Sequence, residues 1–415
     1  MKLAVLSPHF APDMAPTGDV ITRVVTELAD RGHELHVVTA LPWYEHHAVE
    51  PEWRGRLVRT EITPWGSIIR VHPFPTDKRS IAGRALAFGA FSALAGVNGL
   101  RGGHVDGVLA MSPPLTLGLT GWGMALLRRG PLVFNIQDVF PDVAVELGAI
   151  TNPAVIATAR RLERLSYRAA DAVTVLSDDL RDNVAAKLPP GQGQKVRTIP
   201  NFVDTKAITP LDRSTPYRRE LGLGDETVVM YAGNIGLSQS LDLMVTAARR
   251  LVERTDVVFV VNGGGSGRPG LEAEAAGLPN VRFADYQSKD RLAEVLATGD
   301  VHVVPLKRGL ARSSVPSKTY SILAAGRPLL ASVDPGTEVA RVVEKAAAGL
   351  TVAPDDPDAF TEALLTLLDR PDQRAEMGAS GRAFVERWAS PAAVAASYED
   401  LFLELARPRS RRRTG

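Results

Sequence analysis

The strongest constraint on the fold is an alternation that occurs twice: short apolar runs are followed by longer runs of helical period, first up to about residue 195 and again from about 227. Such alternation is the pattern of βαβ units, which build parallel sheets. "KLAVLS", "ELHVVTA", "GVLAMS", "PLVFNIQD" and "AVTVLS" supply strands in the first half, and "TVVMYAG", "VVFVVNGG", "VRFADY", "VHVVPL" and "PLLASV" supply them in the second. In "DVITRVVTELADRGH" the residues Val20, Ile21, Val24, Val25, Leu28 and Ala29 form one helical stripe, and Gly32 is the stop signal. From Val196 the text changes to "VRTIPNFVDTKAITPLDRSTPYRREL", with three prolines and little periodicity, which reads as a linker.

A length of 415 residues exceeds what one hydrophobic core usually serves. The expected class is therefore α/β, with two tandem Rossmann-like, doubly wound domains. We place an N-terminal domain at 1–200, a linker at 201–216 and a second domain at 217–388. A C-terminal helix at 389–406 is expected to pack back toward the first domain, and a basic tail at 407–415 is expected to be disordered.

Charge and composition narrow the chemistry. Lys plus Arg number 48 against 47 Asp plus Glu, so the chain lacks the overall basic field that would argue for nucleic acid, and anion attraction must be local. The absence of cysteine rules out thiolate metal sites, disulfides and cysteine nucleophiles. No His-Glu-x-x-His or dense carboxylate cluster is present, so no metal is expected. The opening "MKLAVLSPHF" is too short to read as a signal peptide, which makes a cytoplasmic location the expectation.

No uncharged apolar window reaches eighteen residues. "ALAFGAFSALAGVNGL" nonetheless follows the basic "TDKRSIAGR", and it reads either as a core-facing helix or as a segment lying on an anionic membrane surface. Arg409 and Arg411 to Arg413 in the tail are further candidates for acidic headgroups. A peripheral position at the inner face of the membrane is the corresponding expectation.

Candidate site residues collect at strand ends. In "HVVPLKRGLARSSVPSKTYSILAAGRPLLAS" the cations Lys307, Arg308 and Arg312 fall between a strand and a helix, and Lys318 falls in the first turn of that helix. A helix N-terminus already carries about half a positive charge, so cations gathered there imply an anionic ligand. Gly18, and Gly233 with Gly236, sit at strand-to-helix junctions of the two halves, where bare backbone can meet an anion. His9 and, nearby, Asp13 follow the first strand, and Gln137, Asp138 and Asp142 follow another, in position to hold hydroxyls or, for the carboxylates, to cap helices. A literal Gly-x-Gly-x-x-Gly at Gly265, Gly267 and Gly270 lies in the second half rather than the first βα turn and is followed by acidic residues, which argues against a dinucleotide.

Taken in order, "SPHFAPDMAPTGDV", "NIQDVFPDVAVELGAI", "YAGNIGLSQSLDLMVTAARRL" and the Lys318 segment resemble the family 4 retaining glycosyltransferases of GT-B fold. Within that family they are similar to the bacterial branch with N-acetylfucosaminyl transferases and colanic-acid-type enzymes. The resemblance implies two domains facing a central crevice, which closes over the donor. It also implies a nucleotide diphosphate sugar (a UDP- or GDP-sugar) as substrate, no cofactor, and a glycan or polyprenyl-linked acceptor.

Carried onto this chain, the resemblance places Gly18, Asn234, Gly236, Gln239, Lys307, Ser313, Ser317, Ser321 and Glu338 around the donor. Lys318, Arg312 and Asp138 take the catalytic positions, and His9, Asp13 and Gln137 face the acceptor or sugar. Asn234 and Gln239 stand where the family usually has Arg and Lys, Ser313 and Ser321 replace its spaced glutamates, and Gln137 replaces a frequent histidine. Lys318 with Arg312 or Lys307 would then replace the positive charge missing at Asn234 and Gln239, whereas the serines offer no charge-assisted bond to a sugar or ribose hydroxyl. A non-hydrolysing sugar-nucleotide epimerase, or a nucleotide-sugar-binding protein without catalysis, is the alternative reading.

Overall fold

The chain is described by a computed structural model covering every residue except 14, 77–80, 102, 147–149, 237, 310–316 and 407–415. Arg312, Ser313 and the basic tail lie outside the described residues. Two compact units are formed, one from Met1–Asn201 with Pro391–Gly415 and one from Phe202–Ser390.

In the first unit the strands are β1 (Lys2–Leu6), β2 (Glu34–Ala40), β3 (Val58–Thr63), β4 (Gly66–Val71), β5 (Gly107–Ser112), β6 (Leu132–Ile136), β7 (Ala172–Val175) and β8 (Val196–Thr198). Its helices are α1 (Pro16–Asp30), α2 (Ile81–Gly99), α3 (Thr116–Arg128), α4 (Asp142–Glu146), α5 (Pro153–Ala169) and α6 (Asp178–Ala186). The sheet order is β3-β4-β2-β1-β5-β6-β7-β8, parallel throughout except for the antiparallel β3–β4 pair. Strands β5 and β6 are buried at every position, which explains their unbroken apolar runs. Edge strand β3 is half-exposed, and its Ile62 points to solvent.

The second unit contains α7 (Pro216–Glu220), β9 (Thr227–Ala232), α8 (Asp242–Arg250), β10 (Val257–Asn262), α9 (Arg268–Glu274), β11 (Val281–Ala284) and α10 (Leu292–Thr298). It continues with β12 (Val301–Pro305), α11 (Ser317–Ala324), β13 (Leu329–Ser332), α12 (Glu338–Ala346), β14 (Gly349–Val352), α13 (Pro357–Leu368) and α14 (Pro371–Trp388). The sheet order β11-β10-β9-β12-β13-β14 is the 3-2-1-4-5-6 order of a Rossmann fold. The final helix, α15 (Pro391–Ala406), packs on α1 of the first unit, where Glu399 pairs with Arg31 and His33.

The stretch read as a linker from Val196 is more ordered than its prolines suggest. Its start forms β8 on the edge of the first sheet, and Val203 and Ile208 are buried in a core cluster of the second unit. Strands β3, β4, β8 and β14 have no counterpart among the strands expected from sequence. Helix α2 is core-facing on one side, with Ala87, Phe91 and Ala95 buried, and leaves Leu86 and Val97 exposed on the other.

Candidate functional site

In the second unit the strand order reverses between β9 and β12, and ligands of open α/β sheets bind at the carboxyl ends of strands flanking such a point. The chain leaving β9 passes through Gly233, whose φ of 148° favours glycine. The glycine run after β10 lies directly against it. A Cβ on Gly263 would sit 1.9 Å from the Gly233 carbonyl oxygen, and one on Gly265 would sit 2.4 Å from that of Ile235. Hydrogen bonds from Ile235 N to Gly264 O (2.8 Å) and from Gly267 N to Ile235 O (2.9 Å) fix the two loops together. The run therefore serves close backbone packing, which explains its glycines without a dinucleotide.

Lys318, the second residue of α11, brings its ammonium to this junction. Its Nζ donates to the Tyr231 hydroxyl at 2.8 Å, lies 4.3 Å from the centre of that ring, and would be 3.2 Å from a Cβ on Gly233. Tyr231 is fully buried, and its hydroxyl donates a hydrogen bond to the Asn234 carbonyl. Among the described residues no carboxylate lies within ion-pair distance of Lys318, and burial pulls its pKa from 10.5 down to about 8. A partly buried ammonium with a neutral partner is a site prepared for an incoming anion.

The remaining expected donor residues divide into two groups. Gln239 and Gly236 bind each other, since the Gly236 amide donates to Gln239 Oε1 at 2.9 Å, so that amide is not offered to a phosphate as the sequence suggested. Lys307 is exposed, and its backbone N–H joins the same loop by donating to Ser238 O at 3.0 Å. Arg308, in contrast, turns its guanidinium to Pro354 O at 3.1 Å. Its amide, together with Ser240, is held by Asp355, whose carboxyl is kept below the usual range chiefly by the Ser240 hydroxyl. Ser317 opens α11 and Ser321 lies one turn after Lys318. Glu338 begins α12, where it is buried and paired with Arg341 at 2.9 Å.

In the first unit the strand order reverses between β1 and β5. His9 follows β1, and its Nδ1 lies 2.6 Å from Asp13 Oδ2. The other oxygen of Asp13 accepts from the amides of Trp43 (3.2 Å) and Tyr44 (2.9 Å), the loop that follows β2. Both Asp13 oxygens are thus occupied and the side chain is 1% exposed, so Asp13 orients His9 instead of meeting an acceptor directly. The imidazole stacks on Trp43 (5.7 Å, 23°) and meets the edge of Tyr44.

Gly18 is needed behind this loop, because a Cβ there would be 3.0 Å from His9 Cβ and 3.1 Å from Asp13 O. Buried Arg70 completes the brace by donating to the carbonyls of Phe10 (3.4 Å) and Ala11 (2.6 Å). Gln137 corrects the sequence reading: it is buried, with its amide joining Asn135 (2.7 Å) and Asn201 (3.0 Å), so it serves the interior. Asp138 next to it is exposed, and Asp142 pairs with Lys187 at 2.6 Å.

His9, Trp43 and Tyr44 also line a cavity of about 310 Å³ at the carboxyl ends of β1, β2, β4 and β5. Neither this cavity nor the Tyr231–Lys318 pair was expected from sequence. Both depend on contacts between elements far apart in the chain. Among the described residues one three-residue group has metal-ligand spacing, Glu45, His46 and Glu50, and it is largely exposed.

Two sequence families match the chain. The family described as "Glycosyl transferase 4-like domain" covers residues 17–201, and "Glycosyl transferases group 1" covers residues 226–370. A putative colanic acid biosynthesis glycosyl transferase, WcaI, of Escherichia coli strain K12 is 29% identical over 360 residues, which is 83% of this chain and 86% of that protein. Among solved structures, sucrose-phosphate synthase from Thermosynechococcus elongatus superposes with a TM-score of 0.67 at 19% identity, over 97% of this chain and 98% of the other. Anabaena HepE in complex with UDP and glucose gives 0.63 at 14% identity, over 98% and 100%.

Proposed function

Because the chain belongs to the family 4 glycosyltransferases and has their GT-B architecture of two Rossmann-like domains, we propose that it moves a sugar from a nucleotide diphosphate donor to a glycan or lipid-linked acceptor in cell-surface polysaccharide synthesis. The observation carrying this reading is Lys318, an ammonium that has no carboxylate partner among the described residues, at the strand-order reversal of the second unit. Expulsion of a diphosphate from the anomeric carbon develops negative charge on the leaving oxygens. A preorganised donor at that place lowers the barrier, and loss of one such donor typically costs roughly 3 kcal/mol. The likeness to HepE, whose structure contains UDP, supports a uridine donor.

In this reading the anomeric C–O bond to the diphosphate breaks as the acceptor hydroxyl approaches the same face. A diphosphate oxygen then takes the hydroxyl proton, so configuration is retained and neither a metal nor a protein base is required. His9, oriented by Asp13, lends a hydrogen bond to the acceptor. The test is Lys318→Ala, assayed with a panel of UDP- and GDP-sugars. Transfer is expected to fall at least a hundredfold while the circular dichroism spectrum is kept, and full activity would remove the leaving-group role from Lys318.

A second observation favours work at a membrane. Helices α2 and α3 lie side by side, joined by Ser92 Oγ to Thr116 Oγ1 at 2.7 Å and by Arg128 Nη1 to Gly99 O at 2.8 Å. Their outward faces expose Leu86, Val97, Trp122, Leu126 and Leu127, and Leu100 just after α2 is exposed as well. Arg101 and Arg129 are exposed beside them, and no acidic residue occurs from 107 to 137. Exposed apolar side chains with cations beside them suit an anionic bilayer surface. Among the described residues no helix is long and apolar enough to cross a membrane.

A further inference from the structure

We propose that the cavity of the first unit holds an apolar chain attached to the acceptor, an isoprenoid or alkyl group, with the acceptor's polar end at His9. This rests on the transferase reading above. Of the twelve lining residues, four are prolines (Pro8, Pro73, Pro75 and Pro113) and four are aromatic (Trp43, Tyr44, Phe74 and Phe88). The volume of about 310 Å³ is at the lower end of small-molecule sites, roughly 300–1,000 Å³. A free sugar carries a hydroxyl on nearly every carbon and loses affinity where those hydroxyls are left unpaired. Walls of proline and aromatic carbon offer them few partners, whereas an alkyl chain needs none.

The polar side chains are few. His9 is oriented by Asp13 through Nδ1, and its Nε2 has no protein partner among the described residues. Two wall residues, His47 and Phe74, adopt left-handed backbone at φ 51° and 52°, a conformation non-glycine residues rarely hold and one that tends to mark ligand-shaping loops. Ala87 and Phe88 of α2 also line the cavity, and the same helix exposes Leu86. One helix thus borders both the cavity and the apolar surface from which a lipid-linked acceptor would arrive.

The experiment uses the full chain and n-alkyl β-glucosides from methyl to octyl, kept below their micelle concentrations and followed by calorimetry and by the fluorescence of Trp43. Burial of each methylene is expected to raise affinity about fourfold until the cavity is filled, after which affinity levels off. Phe88→Asp, and independently Thr76→Trp, which fills the space without adding charge, are expected to flatten the series. Their affinity for UDP, which depends on Lys318 in the other unit, is expected to stay unchanged. A wild-type series flat from methyl to octyl overturns the proposal. A slope that survives both variants also overturns it, because the chains then bind elsewhere. Either result leaves the Lys318 transfer assay unaffected, so failure here is distinguishable from failure of the transferase reading.

Discussion

Replacing Lys318 with Met should stabilise the protein while abolishing its transfer activity. The ammonium is partly buried against a phenol and a glycine and has no counter-ion among the described residues, so the folded state holds its proton less tightly than the unfolded chain does. A fall from 10.5 to about 8 is equivalent to about 3 kcal/mol against folding at neutral pH, where both states are still mainly protonated. Met keeps most of the side-chain volume but forfeits the bond to Tyr231, worth about 1 kcal/mol. The net expectation is a gain of about 2 kcal/mol at pH 7.

The sign follows from linkage. Between the folded pKa near 8 and the unfolded value of 10.5 the unfolded state binds more protons, so wild-type stability rises with pH through that window. By pH 10 the penalty has shrunk to about 1 kcal/mol, and the advantage of Met should almost vanish. For a unit of this size a gain of about 2 kcal/mol raises the melting temperature by roughly 4–8 °C. Differential scanning calorimetry at pH 7 and pH 10 reads both values. Saturating nucleoside diphosphate should reverse the order at pH 7, since only the wild type gains a partner for its charge. A Lys318→Met protein that is less stable than wild type at pH 7, or a gap equal at both pH values, would refute the claim that the site stores the cost of an unpaired cation.

Two further outcomes follow from the same geometry. Gly263→Ala should destabilise the second unit by at least about 2 kcal/mol and weaken nucleotide binding, because its Cβ would collide with the Gly233 carbonyl beneath Lys318; thermal unfolding with and without UDP checks both effects. The pair Trp122→Glu and Leu126→Glu should abolish co-sedimentation with vesicles rich in phosphatidylglycerol, which in the wild type should also weaken with salt, while transfer to a soluble acceptor continues.

What could be read from sequence follows from how local each signal is. Strands β5, β6, β10 and β12 are buried on both faces, so their apolar runs were visible without knowledge of their neighbours. Lys318 was legible as a cation at a helix start, a pattern costly to the helix unless something negative arrives. Tyr231 was not, because within "TVVMYAG" it reads as one more strand residue, and its hydroxyl matters only through a lysine 87 positions away. Asp13 was placed in the right loop with the wrong partner, since its amide donors come from the loop after β2. Gln137 stands where a substrate-facing group was expected, but it is drawn inward by Asn135, two residues earlier on β6, and by Asn201 at the end of the unit, a partner 64 positions away. Strand β3 escaped notice because an exposed edge needs no apolar run, and its Ile62 breaks the inward–outward pattern.

The position of α15 has a consequence for synthesis. Phe402 presses on Gly107 of β5, where a Cβ would lie 2.4 Å from its ring, and the Tyr398 hydroxyl accepts from Asn135 of β6 at 2.9 Å, so strands of the first unit are completed by a helix made only after the whole second unit. Residues 202–390 emerge from the ribosome as one uninterrupted stretch whose ends are tied by Val203 N to Ala389 O at 2.9 Å. The later-made unit can therefore mature first, while the N-terminal sheet waits with an uncovered face until α15 has emerged.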